Sequence, residues 1–168
     1  MKVTETKRLT LRWIEVEDAQ FIFQLLNEPS WIQHIGDKGI YSVEDARNYI
    51  KSGPRKMYEE YGMGLFLVEL KDDRSPIGIC GLIKREELSD VDIGYAFLSS
   101  QQGKGYALES AEAMVQYARE IGLLRIIAIT KKDNFSSSRL LEKLGMDHQG
   151  YVKLTNATEG LKLYSLIL

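Results

Sequence analysis

The residues best suited to chemistry lie together in FLSSQQGKGYALESA, residues 97–111. An apolar, strand-like run ends at Leu98, small and polar residues follow, and helical spacing begins near Tyr106. The first N–H groups of a helix lack intrahelical partners and sit at the positive end of its dipole, so such a junction hydrogen-bonds anionic phosphate. Gly103 and Gly105 take away the Cβ atoms that would block this approach, and Lys104 either adds positive charge or turns to water. A P-loop does not fit: it needs glycine five positions before Gly103, where Leu98 stands, and Ser or Thr after Lys104, where Gly105 stands. The dinucleotide fingerprint fails too, since its third glycine falls at Leu108. What remains is Gln102-x-x-Gly105-x-Ala107, either a phosphate-binding turn of another kind or a glycine turn that only starts a helix.

A second polar group, Asn134 with Ser137, opens a short apolar-patterned segment, where Asn134 reads as a helix N-cap. Ser136 and Ser138 read as capping or exposed polar residues. His34 and His148 stand alone, with no cysteine, Ser–Asp or metal-ligand partner at a useful spacing, and are expected on the surface or in packing. Cys80 is the only cysteine, which excludes an intramolecular disulfide and a cysteine-based metal site, so no metal is implied.

The elements that must position these residues follow from periodicity. Leu9, Leu11 and Trp13 alternate with Thr10 and Arg12, a strand over residues 8–14. Ala19, Ile22, Phe23 and Leu26 recur at helical spacing and stop before Pro29. Ser42 with Asp45 resembles a capping box for a second helix carrying Val43, Ala46 and Ile50, interrupted by Pro54. Residues 64–70, 76–85 and 91–98 read as a three-strand antiparallel meander. A long helix then carries Ala111, Met114, Val115 and Ala118 as far as Gly122. A buried strand at 123–130, a short helix from Ser136 to Leu144 closed by Gly145, and strands near 147–155 and 161–168 complete the chain. This order predicts one α/β domain over 1–168, a mixed sheet with helices on both faces.

Gln102-x-x-Gly105-x-Ala107 resembles the Q/R-x-x-G-x-G/A pyrophosphate signature of the GNAT superfamily of N-acetyltransferases, and DIGYAFL before it looks like that family's splayed fourth strand. Asn134-x-x-Ser137-x-x-Leu140, continuing as LEKLGM, is similar to the N-x-x-S-x-x-L-x-x-x-G-F segment of the ribosomal-protein N-terminal acetyltransferases within it, with Met146 in place of phenylalanine. ETKRLTLRWIEVEDA and LKLYSLIL look like that subgroup's first strand and helix and its last strand, so the resemblance spans almost the whole chain. It implies a GNAT fold with a mostly antiparallel sheet of about seven strands, and acetyl-coenzyme A as acetyl donor to a primary amine.

The resemblance also distributes roles. Backbone groups of Phe97 and Leu98 would pair with the pantetheine arm, as an added strand does at an open sheet edge. Gln102, Gly103, Lys104, Gly105, Tyr106 and Ala107 would hold the phosphates, and Asn134 would bond the arm near the thioester. Ser137 would lie near the sulfur; the tyrosine that many superfamily members place one residue after the position matching Leu140 is here Leu141. Asp92 stands where the subgroup often has glutamate and would take the amine's proton, directly or through water, unless it is an ordinary strand-end carboxylate beside Asp90. Glu109 is the second choice, or else complements the helix dipole. Trp31 and Tyr41 lie in the segment where this fold builds its acceptor pocket, or in the core.

The acceptor is expected to be a protein N-terminal amine or a small-molecule amine. The alternative is a non-catalytic module that holds an acyl-coenzyme A. A net charge of −2 leaves no basic excess for nucleic acid or anionic lipid. No apolar run approaches the roughly 20 residues of a membrane helix, and MKVTETKRLTLR lacks a signal peptide's apolar core. A cytoplasmic location is expected, and the sheet edges either stay free or pair in a homodimer.

Overall fold

The alternation at Leu9, Thr10, Leu11 and Arg12 becomes a strand in the computed structural model, which describes residues 1–155 and 159–168. Leu9 and Leu11 are fully buried, whereas Thr10 and Arg12 are half-buried on the other face. A strand that sequence patterning missed precedes it: β1 (Lys2–Glu5) pairs antiparallel with β2 (Leu9–Arg12). Only Val3 and Thr4 of β1 are even half-buried, so its sequence carries no apolar alternation.

Between β2 and the meander lie four helices, α1 (Ala19–Leu26), α2 (Pro29–His34), α3 (Val43–Ser52) and α4 (Pro54–Tyr61). The sequence reading used Pro29 and Pro54 as stops. α1 and α3 do end before them, and each proline also opens the next helix at its first position, where the N–H that proline lacks would have had no intrahelical partner. The cap expected at Ser42 forms, its Oγ accepting the Asp45 N–H at 3.0 Å.

The meander is β3 (Leu65–Leu70), β4 (Pro76–Ile83) and β5 (Val91–Phe97), followed by α5 (Tyr106–Glu120), β6 (Arg125–Thr130), α6 (Phe135–Lys143), β7 (Asp147–Val152) and β8 (Leu161–Ile167). Among the described residues the sheet has eight strands in the order β1-β2-β3-β4-β5-β6-β8-β7, antiparallel throughout except for the parallel pair β5–β6. The expected mixed α/β sheet is thus present with one strand more than expected. Helices cover both faces. Phe66, Val68, Leu82 and Ile93 pack with Met114 and Ala118 of α5 and Leu141 of α6, while Leu67 and Ile79 pack with Ile22 and Leu25 of α1 and Ile50 of α3. No helix among the described residues is long and apolar enough to cross a membrane.

The parallel pair is what makes a site. The β4–β5 ladder runs the full length of β5, from Ile83↔Asp92 to Gly78↔Phe97, whereas β5 pairs with β6 only at Val91↔Ile126 and Asp92↔Ile127. Beyond Asp92 the two strands part, and the sheet opens in its middle.

Candidate active site

A cavity of about 890 Å³ occupies this opening and is lined from both faces of the sheet, by Trp31 and Arg85 as well as by Gly105 and Ser137. Its β5 edge shows which backbone groups remain available. The Leu98 N–H donates to Ile77 O at 3.0 Å, and its carbonyl accepts the Gln101 N–H at 2.9 Å. Ladder alternation then turns the Phe97 N–H toward the opening, while the Phe97 carbonyl accepts Gln102 Nε2 at 3.2 Å. Sequence reasoning gave both residues to the pantetheine arm; the pleat turns the Phe97 N–H toward the opening and commits the Leu98 N–H to β4.

The glycine turn has a conformational requirement. Gly103 and Gly105 adopt φ of +77° and +84°, the left-handed region where a Cβ is strained, and a Cβ on Gly103 would otherwise meet nothing within 4 Å. Gly105 is the N-cap of α5, so the N–H groups of Tyr106, Ala107 and Leu108 have no acceptor within the helix. Lys104 is not among the residues that line the cavity, and its Nζ lies 3.4 Å from Oε1 of Gln101, which does line it.

Arg8, which sequence reasoning passed over, fastens this turn to the β1–β2 hairpin. Its Nη1 donates to Lys104 O at 3.0 Å, its Nε to Glu109 Oε1 at 2.7 Å, and its guanidinium lies 4.5 Å from the Tyr106 ring centroid. Glu109 also accepts the Arg8 N–H at 3.0 Å and the Thr6 hydroxyl. Burial pushes the Glu109 carboxyl up, but these bonds outweigh it and hold the pKa below the usual value. Glu109 is outside the cavity lining and is a buttress of the turn.

Across the opening, Asn134 Oδ1 accepts the Ser137 N–H at 3.2 Å, the expected N-cap of α6. Ser137 Oγ lies 2.7 Å from the Tyr95 hydroxyl on β5. Burial pushes the Tyr95 phenol up to about 12 despite this bond, so it is a neutral donor at ordinary pH. Tyr95 went unnoticed in the sequence because its partner is 42 positions away; the available signal was a phenol on the strand that runs into the glycine turn. Ser136 is exposed on the cavity wall, but Ser138, expected to cap or face solvent, is 7% exposed and lies 3.4 Å from Lys162 Nζ. Leu141 is core.

Asp92 sits at the last β5–β6 pair and is 2% exposed. Its Oδ2 accepts Arg85 Nε at 2.8 Å, and its Oδ1 has no partner among the described residues. Burial raises its pKa and Arg85 only partly counters this. The neighbouring Asp90 belongs elsewhere, 3.6 Å from Arg125. Alternation along β5 places Val91, Ile93 and Phe97 against α5 and Ala96 against the α1–α3 cluster, so Asp92 faces the α1–α4 side and Tyr95 the α5–α6 side.

On the Asp92 side the cavity is walled by Trp31 and His34 of α2, Tyr49 of α3, and Lys38. Tyr41 is 70% exposed, donates its hydroxyl to Asp37 at 2.8 Å and does not reach the cavity. His34 is a wall residue, while His148 is exposed, against the rings of Tyr151 and Tyr164. Cys80 is buried, its thiol pushed up to about 12. No cluster of metal-ligating side chains occurs among the described residues.

The sheet, split at its parallel pair, thus carries a left-handed glycine turn opening a helix at one lip and polar side chains at the other. Residues 8–147 match the acetyltransferase (GNAT) domain. The chain is 32% identical over 149 residues to the uncharacterized N-acetyltransferase YnaD of Bacillus subtilis, covering 88% of this chain and 84% of that protein. It superposes on a GNAT-family acetyltransferase from Bacillus anthracis with a TM-score of 0.81 at 27% identity, over 99% of this chain and 98% of that one. The fold is shared also with RimL, a ribosomal alpha-N-protein acetyltransferase in complex with coenzyme A (TM-score 0.85, 18% identity, 100% and 98% covered). The chain belongs to the GNAT family and is an N-acetyltransferase that uses acetyl-coenzyme A.

Proposed function

We propose that the enzyme acetylates an α-amine or a similarly acidic primary amine, with Asp92 accepting the amine's proton and Ser137, held by Tyr95, donating to the leaving sulfur. The observation that carries this reading is that Asp92 and Ser137 line one cavity from opposite faces of the sheet, where β5 and β6 part. The donor's phosphates fit the left-handed turn at residues 102–107, and its arm fits the open β5 edge at Phe97 and passes Asn134. The bound thioester supplies an activated acetyl carbon, which the amine nitrogen attacks as the carbon–sulfur bond breaks.

The chain's own groups handle the protons. A buried carboxylate with one free oxygen at the cavity wall accepts a proton from an approaching ammonium or from a water between them. An α-amine, with a reference pKa near 8 against about 10.4 for lysine, asks less of such a base. On the other face, the Tyr95 hydroxyl lies 2.7 Å from Ser137 Oγ; with the phenol as donor in this reading, the Ser137 hydroxyl proton is left for the sulfur. A thiol of pKa about 8.5 leaves as a thiolate without full proton transfer, so a hydrogen bond suffices.

The test is thiol release from acetyl-coenzyme A against N-terminal peptides, lysine-containing peptides, free amino acids and polyamines. Faster turnover of α-amines than of lysine side chains is expected. A preference for lysine ε-amines, or turnover untouched by Asp92→Asn, overturns the assignment.

A further inference from the structure

The acceptor half of the cavity carries hydrogen-bond donors that the protein itself does not use. Trp31 is 5% exposed, and its indole N–H, which can only donate, has no partner among the described residues. His34 Nδ1, three residues along the same helix and therefore on the same face, is likewise buried without a partner. A buried indole N–H left unpaired is costly, and a cavity-wall helix that carries one suits a ligand that accepts; His34 Nδ1 joins it as a donor in the tautomer that carries its proton there.

Charge points the same way. Lys38, at the mouth of the same cavity, makes no salt bridge or hydrogen bond among the described residues. Lys38 is exposed overall, and partial desolvation, then the nearby Arg85, hold its ammonium below the usual value. Arg85 is committed to Asp92. That pair is neutral as a unit, which leaves Lys38 as the cation on this wall that no carboxylate holds among the described residues, with Glu28 as the remaining carboxylate. Glu28, on the same wall, is held by Ser99 through its hydroxyl and N–H at 3.0 and 3.4 Å. A polyamine would bring further positive charge to Lys38, whereas an anion beside the reacting amine would relieve it.

We infer that the acceptor is an amine that also carries an anionic oxygen group, a carboxylate or phosphate, which Lys38, the Trp31 indole N–H and His34 bind while Asp92 receives the amine. This rests on the acetyl-transfer reading for the amine, but the anion site stands on its own donors. The anion comes either from the acceptor molecule's own carboxylate or phosphate or from an acidic side chain beside a peptide N-terminus, which share one chemistry.

Matched pairs test it. Free L-amino acids are compared with their carboxamides, phosphoethanolamine with ethanolamine, and short C-terminally amidated peptides with Asp or Asn at the second position. Each is titrated calorimetrically into protein saturated with coenzyme A and assayed for thiol release with acetyl-coenzyme A. A charge-assisted contact predicts that at least one anionic member binds about tenfold to a hundredfold more tightly than its neutral partner. Lys38→Met should reduce that preference to about twofold through KM, with little change in kcat. Trp31→Phe, which keeps the ring and removes the N–H, should weaken the same ligand severalfold.

The pair that responds identifies the source. Anionic members that bind no better than neutral ones in every pair, or a preference that survives in both variants, overturn the proposal. Anion binding without transfer to any amine leaves the anion site standing and removes the catalytic reading instead.

Discussion

The Tyr95 hydroxyl lies 2.7 Å from Ser137 Oγ, joining the strand that leads into the glycine turn to the first turn of α6. A serine alone is a mobile rotor; one whose oxygen accepts from a neutral phenol has its own proton aimed elsewhere. The two hydroxyls should therefore behave as one device. Ser137→Ala is expected to lower kcat by about tenfold to a hundredfold, at or below the low end of general-acid contributions, with little change in coenzyme A affinity. Tyr95→Phe should lower it less, and the double variant should resemble Ser137→Ala rather than multiply the two losses. Multiplicative losses in steady-state kinetics would separate the two residues, and wild-type turnover in Ser137→Ala would remove the pair from the mechanism.

Asp92 should trade stability for activity. Its pKa is raised, so the folded protein holds that proton more tightly than the unfolded chain does. The resulting stabilisation is full below the ordinary aspartate value and is lost as pH rises through the raised one, leaving the ionised group a burden at pH 7. Arg85 is 37% exposed and stays solvated without its partner. Asp92→Asn is therefore expected to lose about a hundredfold or more in kcat/KM while melting no lower than wild type at pH 7. Arg85→Ala removes the charge that opposes burial, so the acidic limb of the kcat/KM profile should move to higher pH. A melting temperature several degrees lower in Asp92→Asn, or an unmoved limb in Arg85→Ala, would contradict this account.

Much of this arrangement could be read from residue order. Glycines at 103 and 105 ahead of helical spacing located a glycine turn and a helix N-terminus, and the apolar runs located the meander and β6. Local rules fell short where a residue serves two elements: Pro29 and Pro54 were read as ends, which they are, and are also beginnings. Ser138 was read by its polarity and is buried. The contacts of Arg8 with Glu109, Tyr95 with Ser137 and Arg85 with Asp92 depend on how strands pair and which face each side chain takes. Only the last of these joins residues close in sequence, and its spacing across a strand connection has no periodic signature. The pleat decides such roles, as it does at Leu98, whose N–H faces β4 rather than the opening.

Glu109 is expected to be structural. Its depressed pKa gives stability that is full above the ordinary glutamate value, near 4.3, and is lost as pH falls through the lower folded value. Because Arg8 is 42% exposed, solvent screens much of the pair. Glu109→Gln should then cost about 1 kcal/mol at pH 7, or roughly 2–4 °C, with the gap to wild type closing as pH falls below 4. Coenzyme A affinity should weaken severalfold, since Arg8 would hold Lys104 O less firmly. Thermal melts across pH together with calorimetry test this. A large fall in kcat with unchanged stability would return Glu109 to the catalytic machinery.

Gly105 is the position at which fold and function are hardest to separate, so its variants need two readouts. At φ +84° a β-branched residue is strained, and the Cβ would stand 3.3 Å from Arg8 Nη2, the group that helps hold the turn. Left-handed backbone costs a non-glycine residue about 1–2 kcal/mol, so Gly105→Val should remain folded with a melting temperature lower by several degrees. Its effect on binding should be larger, because the Cβ and its methyls crowd the N–H groups of Tyr106 and Ala107 where phosphate approaches. Gly105→Ala carries the same backbone strain with less bulk and serves as the control. Coenzyme A is expected to bind Gly105→Val at least tenfold more weakly than Gly105→Ala, whereas pantetheine, which has the thiol arm without the phosphates, should bind both alike. Equal coenzyme A affinity in the two folded variants would place the phosphates away from residues 102–107.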